Sequence, residues 1–186
     1  MNKDLTPNEI LDIVAKVRKG KNNPTTPDGF KLKSTVKYVA GLSDAIEQNQ
    51  LLHPKNAEEI GITNIDKAKL SYPFIVTGIT IKFDTATGAG VTELTAVFDD
   101  KAPNYWANGE IEISQDDVLF ESPVSAIANL GSPTSVKDDV YTVIPFVLRE
   151  EKPFKITPSL VGNAVVNQVY RLELHGIELV PDATIR

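Results

Sequence analysis

The chain has 186 residues, 41% of them apolar, which suits one domain with a sizeable core plus an appendage. It contains no cysteine, so disulfides, thiolate metal sites and a cysteine nucleophile are excluded. The net charge of −6 is uneven: residues 1–37 carry 8 Lys/Arg against 4 Asp/Glu, and the remaining residues 11 against 21. A basic footprint for nucleic acid is therefore available only in the amino-terminal stretch.

That stretch has no apolar core of a secretory signal, and no run approaches the roughly 18 apolar residues of a membrane span, so a soluble protein without a transmembrane segment is expected. A helix is predicted over about residues 6–19. Thr6 is its N-cap, Pro7 takes the first helical position, Glu9 completes a capping box, and Gly20 stops it. Ile10, Ile13, Val14 and Val17 recur at helical spacing as one apolar stripe, with Lys16, Arg18 and Lys19 at the cation-favouring end. The breaker-rich residues 20–29 form a linker, so residues 1–34 read as an arm and residues 35–186 as the main domain.

Residues 35–39 alternate like a strand, and residues 44–52 fit one helical turn or two. From Tyr72 onward the pattern is β. Candidate strands run over 74–83, 91–98, 109–113, 118–120, 140–148, 154–156 and 169–179, several separated by Gly, Pro, Asn or Asp. With Val36–Val39 this makes about eight, the number of a jelly roll. No amphipathic helices intervene after the arm, which excludes a parallel βαβ fold and leaves a sandwich or barrel, read here as an all-β antiparallel β-sandwich.

Three details sharpen the reading. Glu110, Glu112 and Ser114 alternate with Ile111 and Ile113, giving one wet and one dry face. The 140–148 run is apolar on both parities, with Tyr141, Val143 and Val147 opposite Val140, Ile144, Phe146 and Leu148, so it needs a second cover; Pro145 places it at an edge or bulge. Leu172 and Leu174 are out of phase with Ile177 and Leu179, which predicts a bulge at His175-Gly176.

The candidate sites are few. His53 and His175 belong to no constellation with a nucleophile and carboxylate, and no catalytic, cofactor or metal residue is assigned. The pairs Asp99-Asp100, Asp116-Asp117 and Asp138-Asp139 lack the Gly and Glu offsets of a calcium loop and read as turn residues. Gly88-Ala89-Gly90 reads as a hairpin turn, since no Lys-Ser/Thr follows as in a phosphate loop. Tyr105 and Trp106, an aromatic pair expected in a loop, suit core or interface packing or, alternatively, the stacking platform of a carbohydrate- or cell-surface-binding β-sandwich module. Lys16, Arg18, Lys19 and Lys21 suit contact with a phosphate backbone. The excess of apolar surface nominates Ile10, Ile13, Val14, Val17, Tyr141, Val143 and Val147 as subunit-interface residues.

A series of short motifs runs in order between Gln48 and Pro181: Gly61-Ile62-Thr63-Asn64-Ile65-Asp66 with Leu70 and the 72–83 strand; Gly109-Glu110-Ile111-Glu112-Ile113 and Phe120-Glu121-Ser122-Pro123; Ile144-Pro145-Phe146-Val147-Leu148 with Lys152-Pro153-Phe154-Lys155-Ile156; and Tyr170-Arg171-Leu172-Glu173-Leu174-His175-Gly176-Ile177-Glu178-Leu179. Together they resemble jelly-roll virion proteins of icosahedral bacteriophages. The resemblance implies a non-enzymatic structural protein that packs against copies of itself and other capsid proteins, in the virion and, during assembly, in the host cytoplasm. Many major capsid proteins of tail-less phages carry two jelly rolls. This chain has room for one, which implies a single-roll capsid subunit, a vertex protein or a minor capsid component, with genome contact through the arm.

Overall fold

A computed structural model describes residues 12, 30–45, 50–88, 90–128 and 140–181. Among these residues the chain forms seven strands: β1 (Phe30–Leu42), β2 (Phe74–Asp84), β3 (Glu110–Gln115), β4 (Asp117–Pro123), β5 (Tyr141–Leu148), β6 (Lys155–Ser159) and β7 (Val169–Pro181). Two single-turn helices, α1 (Asn104–Ala107) and α2 (Val124–Ile127), and a 3-10 turn (Ser43–Ala45) lie between them. The fold is all-β, with two antiparallel sheets of strand order β1-β7-β2-β5 and β4-β3-β6.

The pairings are nested. β1 pairs with β7, β2 with β5 and β3 with β4. Between the first two pairs, the Leu51 N–H donates to the Ile156 carbonyl of β6 at 2.9 Å, so the segment after β1 lies along the edge of the smaller sheet. Each pair thus encloses the next, and successive pairs go to alternate sheets. The far side of β1 is partly closed by residues 62–64. The Ala40 N–H donates to the Ile62 carbonyl at 2.7 Å, and the Asn64 side chain acts as a further rung by accepting the Tyr38 N–H at 2.7 Å and donating to the Val36 carbonyl at 2.8 Å.

Period-two alternation builds the core. Ile79, Ile81 and Phe83 of β2 and Leu172 and Leu174 of β7 face Ile111 and Ile113 of β3 and Ile156 of β6 across the two layers, all essentially without solvent contact. The wet and dry faces of β3 fall as the alternation predicts, with Glu110 exposed and Ile111 and Ile113 buried. Helix α1 plugs one end of the core with Trp106. Its ring lies 5.3 Å from that of Phe83 and 5.4 Å from that of Tyr170, and its indole N–H donates to Ser43 Oγ.

Four expectations are corrected. First, residues 91–98 form no strand. Thr95 Oγ1 accepts the Thr92 N–H and donates to the Gly90 carbonyl, and Asp84 Oδ2 accepts the Val97 N–H, so local side-chain bonds satisfy the backbone in place of a ladder. Among the described residues Gly88 and Gly90 therefore join no strand pair; a bridge between Phe83 and Asp100 lies outside them. Second, β1 starts at Phe30, inside the stretch assigned to the arm, because Lys31 and Lys33 alternate with Leu32 along an exposed edge. Third, the register shift lies on β2 between Val76 and Gly78, opposite His175 and Gly176, while β7 pairs with β1 without interruption. Ile177 and Leu179 thus stay on the outer face, where they form a second small cluster with Ile75, flanked by Leu32 and Val147. The cause is Gly176: a Cβ there would run into the Ile75 carbonyl oxygen and lie 2.9 Å from Phe74 Cζ, so the two backbones meet where only glycine fits. Fourth, Tyr105 and Trp106 lie in helix α1, not in a loop. The predicted helix at 6–19 falls outside the described residues, save Asp12.

Candidate functional site

β4 and β5 end their sheets on the same side of the sandwich, and among the described residues no strand pairs with the outer side of either. Phe120 of β4 seals the gap between the layers. Its ring stacks on Phe146 at 6.3 Å and meets Tyr141 edge-on at 6.4 Å, both from β5. Around this seal lie apolar side chains that the fold leaves in solvent: Ile144 is 88% exposed, Val118 54% and Tyr141 40%. Val140 lies on the outer face over Gly78, in space that a Cβ there would occupy. The result is an apolar rim along two open sheet edges, a surface that single-layer burial does not account for.

The structure divides the three interface candidates of this strand. Tyr141 is on the rim. Val147 packs half-buried beside the outer cluster of Ile75, Ile177 and Leu179. Val143 is corrected: it is buried in the main core and unavailable to a partner. The reason is the irregular pairing of β5 with β2 around Pro145, which turns Val143 inward and throws Ile144 out. Simple alternation therefore missed Ile144, and Val118 escaped notice because a register shift between Ile113 and Ser114 displaces β4. The arm candidates Ile10, Ile13, Val14 and Val17, and the basic Lys16, Arg18, Lys19 and Lys21, lie outside the described residues.

The stacking-platform alternative is corrected by burial. Trp106 has no exposed surface and Tyr105 is buried, with its hydroxyl donating to Gln168 Oε1 at 2.7 Å. A sugar ring has no access to either face.

The outer face of the larger sheet carries a polar cluster that the alternation of Arg171, Glu173 and His175 against Leu172 and Leu174 contained as a signal. Arg171 Nε donates to Glu173 Oε1 at 2.8 Å, Lys82 Nζ lies 3.2 Å from Glu173 Oε2, and His175 Nε2 is 3.6 Å from the same oxygen and 3.2 Å from Thr80 Oγ1. The Arg171 guanidinium also lies over the Tyr38 ring at 4.1 Å. Burial alone would raise the Glu173 pKa; the His175 hydrogen bond and the charges of Lys82 and Arg171 outweigh it and hold the carboxyl at about 2. The cluster ties β1, β7 and β2 together across their outer surface.

Of the aspartate pairs, Asp100 bridges to Phe83, Asp116 stands at the bend between β3 and β4, and Asp138-Asp139 lies outside the described residues. Asp100 Oδ2 accepts both the N–H and the hydroxyl of Thr85, and Asp116 pairs with Lys152. Among the described residues no three His, Asp or Glu side chains converge as a metal site, and no helix is long and apolar enough to cross a membrane. Compared with protein-family models, curated proteins and solved structures, the chain matches none.

Proposed function

We propose that this chain is a non-enzymatic structural subunit of a bacteriophage virion, a single jelly roll behind an amino-terminal helical arm, acting by self-assembly. The nested strand pairing supports the jelly-roll reading, since a jelly roll is a long antiparallel ribbon rolled so that its paired strands alternate between two sheets. The observation that carries the assembly reading is the apolar rim along β4 and β5, centred on Ile144, Val118 and Tyr141. Joining such rims between copies hides apolar side chains and covers open sheet edges in one contact. Within this reading the arm stripe of Ile10, Ile13, Val14 and Val17 is a second contact to copies of itself or other capsid proteins, and Lys16, Arg18, Lys19 and Lys21 face the genome.

Light scattering and negative-stain microscopy of the purified chain test the proposal. Regular oligomers or shells are expected, and the double substitution Val118→Asp with Ile144→Asp should reduce them to folded monomers, with β-structure checked by circular dichroism. A protein that stays monomeric at high concentration, alone and with its virion partners, would sink the reading.

A further inference from the structure

Among the described residues ten large apolar side chains are left exposed, and four of them, Val118, Val140, Tyr141 and Ile144, lie on or beside the rim of β4 and β5. The other six, Ile60, Leu94, Val97, Val161, Val165 and Val166, gather at one end of the sandwich. β2 ends at Asp84 opposite Val169, where β7 begins, so the loops 85–100 and 160–168 leave from the same end. Gln168 Nε2 ties them by donating to the Thr85 carbonyl at 3.2 Å. Ile60, 94% exposed, joins them from the segment beside β1: a Cβ on the next residue, Gly61, would stand 2.7 Å from Leu94 Cδ2.

The surroundings give this end its sign. Residues 57–62, 85–100 and 160–168 contain Glu58, Glu59, Glu93, Asp99 and Asp100 and no lysine or arginine. Phosphate backbones and anionic membrane surfaces are repelled by such an end. A partner that fits brings apolar side chains with cations beside them. Within this chain residues 10–21 have that composition. Ile10, Ile13, Val14 and Val17 form the predicted stripe, and residues 13–21 hold Lys16, Arg18, Lys19 and Lys21 with no carboxylate. On the predicted helix Lys16 and Arg18 fall about 100° to either side of the stripe, and Lys19 falls opposite to it.

Reach decides which copy supplies the segment. β1 runs from Phe30, opposite Pro181, to Leu42, opposite Val169, so the arm joins the sandwich at the end away from the exposed loops. Those 13 residues of strand measure roughly 40 Å. A flexible linker the length of residues 20–29 spans roughly 17 Å on average, less than half of that distance.

We propose that the acidic, apolar loop end receives the arm of a second copy of this chain, the stripe lying across Ile60, Leu94 and Val161 and Lys16 and Arg18 answering the carboxylates. The inference rests on the assembly reading and refines it, leaving Lys19 and Lys21 for the genome. Because the arm and its seat are different surfaces, the contact is head-to-tail and passes from copy to copy until it closes in a ring or shell.

The chain lacks cysteine, so single introduced thiols report the contact. Full-length Val17→Cys is mixed with tagged full-length Leu94→Cys and a short bis-maleimide; each chain carries one thiol, so a 17–94 link joins two copies. Linked pairs in clear excess over a mixture of Val17→Cys with Lys155→Cys are expected, since Lys155 is exposed at the opposite end, where β6 begins. Glu58→Lys with Glu59→Lys, at two exposed positions, should cut the yield about three- to tenfold with β-structure unchanged by circular dichroism, and raised salt should lower it too. Repeating the mixture with Val118→Asp and Ile144→Asp in both chains separates the two readings. Links that persist there uphold the arm contact whatever becomes of the rim, and regular oligomers without an excess of links sink the arm contact alone. No excess over the control, a yield unmoved by the charge reversal, or a Val17→Cys, Leu94→Cys chain that links within itself at high dilution would each overturn the proposal.

Discussion

Replacing Glu173 by glutamine removes the carboxylate that Arg171 Nε, Lys82 Nζ and His175 Nε2 share on the outer face of the larger sheet. The Glu173 pKa, about 2 in the fold against an ordinary 4.5, corresponds to about 3 kcal/mol of linked stability. Solvent and salt at the sheet surface reduce this to roughly 1–2 kcal/mol. Because the folded pKa lies below the unfolded one, this stability is fully present above about pH 4.5 and is lost as the pH falls towards 2. Urea unfolding of the wild type and Glu173→Gln at pH 7, 4 and 3 is the assay. The gap between the two proteins should be largest at pH 7, shrink steadily below pH 4.5, and narrow in high salt. A gap of constant size across the series, or none at pH 7, would refute the argument that the cluster acts through the ionised carboxylate.

Two further predictions concern packing. Trp106 is the single tryptophan, so its native fluorescence should be blue and resistant to iodide quenching, and Trp106→Ala should cost about 3–5 kcal/mol by chemical denaturation; ready quenching in the native protein would put the indole in solvent and revive the stacking-platform reading. Gly176→Ala should destabilise by about 1–3 kcal/mol, because the added methyl meets the Ile75 carbonyl oxygen rather than a movable side chain. Unchanged stability there would mean that glycine is not what places the register shift on β2.

Where burial followed simple alternation, the strands were legible from residues alone, as in Glu110–Gln115 and in Val169–Pro181 up to Leu174. Legibility failed where a non-periodic interaction overrode the period. Residues 91–98 have the composition of a strand, but Thr92, Thr95 and Asp84 offer the backbone nearer partners. The phase change along β7 was visible, yet its cause sat on the neighbouring strand, where sequence gives no register. The same limit shaped the rim. Tyr141 could be nominated from its strand, whereas Ile144 and Val143 exchanged roles at Pro145 and Val118 depended on a shift in β4. Trp106 was ambiguous because a one-turn helix after Pro103 is too short to carry periodicity.

The enclosure of one strand pair by the next bears on how the chain is made. Phe30 pairs with Pro181 and Leu42 with Val169, so the first of the described strands finds its neighbour only when the chain has been synthesised as far as residues 169–181. At about 5–20 residues per second, β1 waits on the order of ten seconds on the ribosome, while the innermost β3–β4 hairpin can close as soon as it emerges. Maturation should therefore run from the middle of the chain outwards, and a nascent chain stalled before β7 should retain a β3–β4 hairpin while its amino-terminal strand stays sensitive to protease.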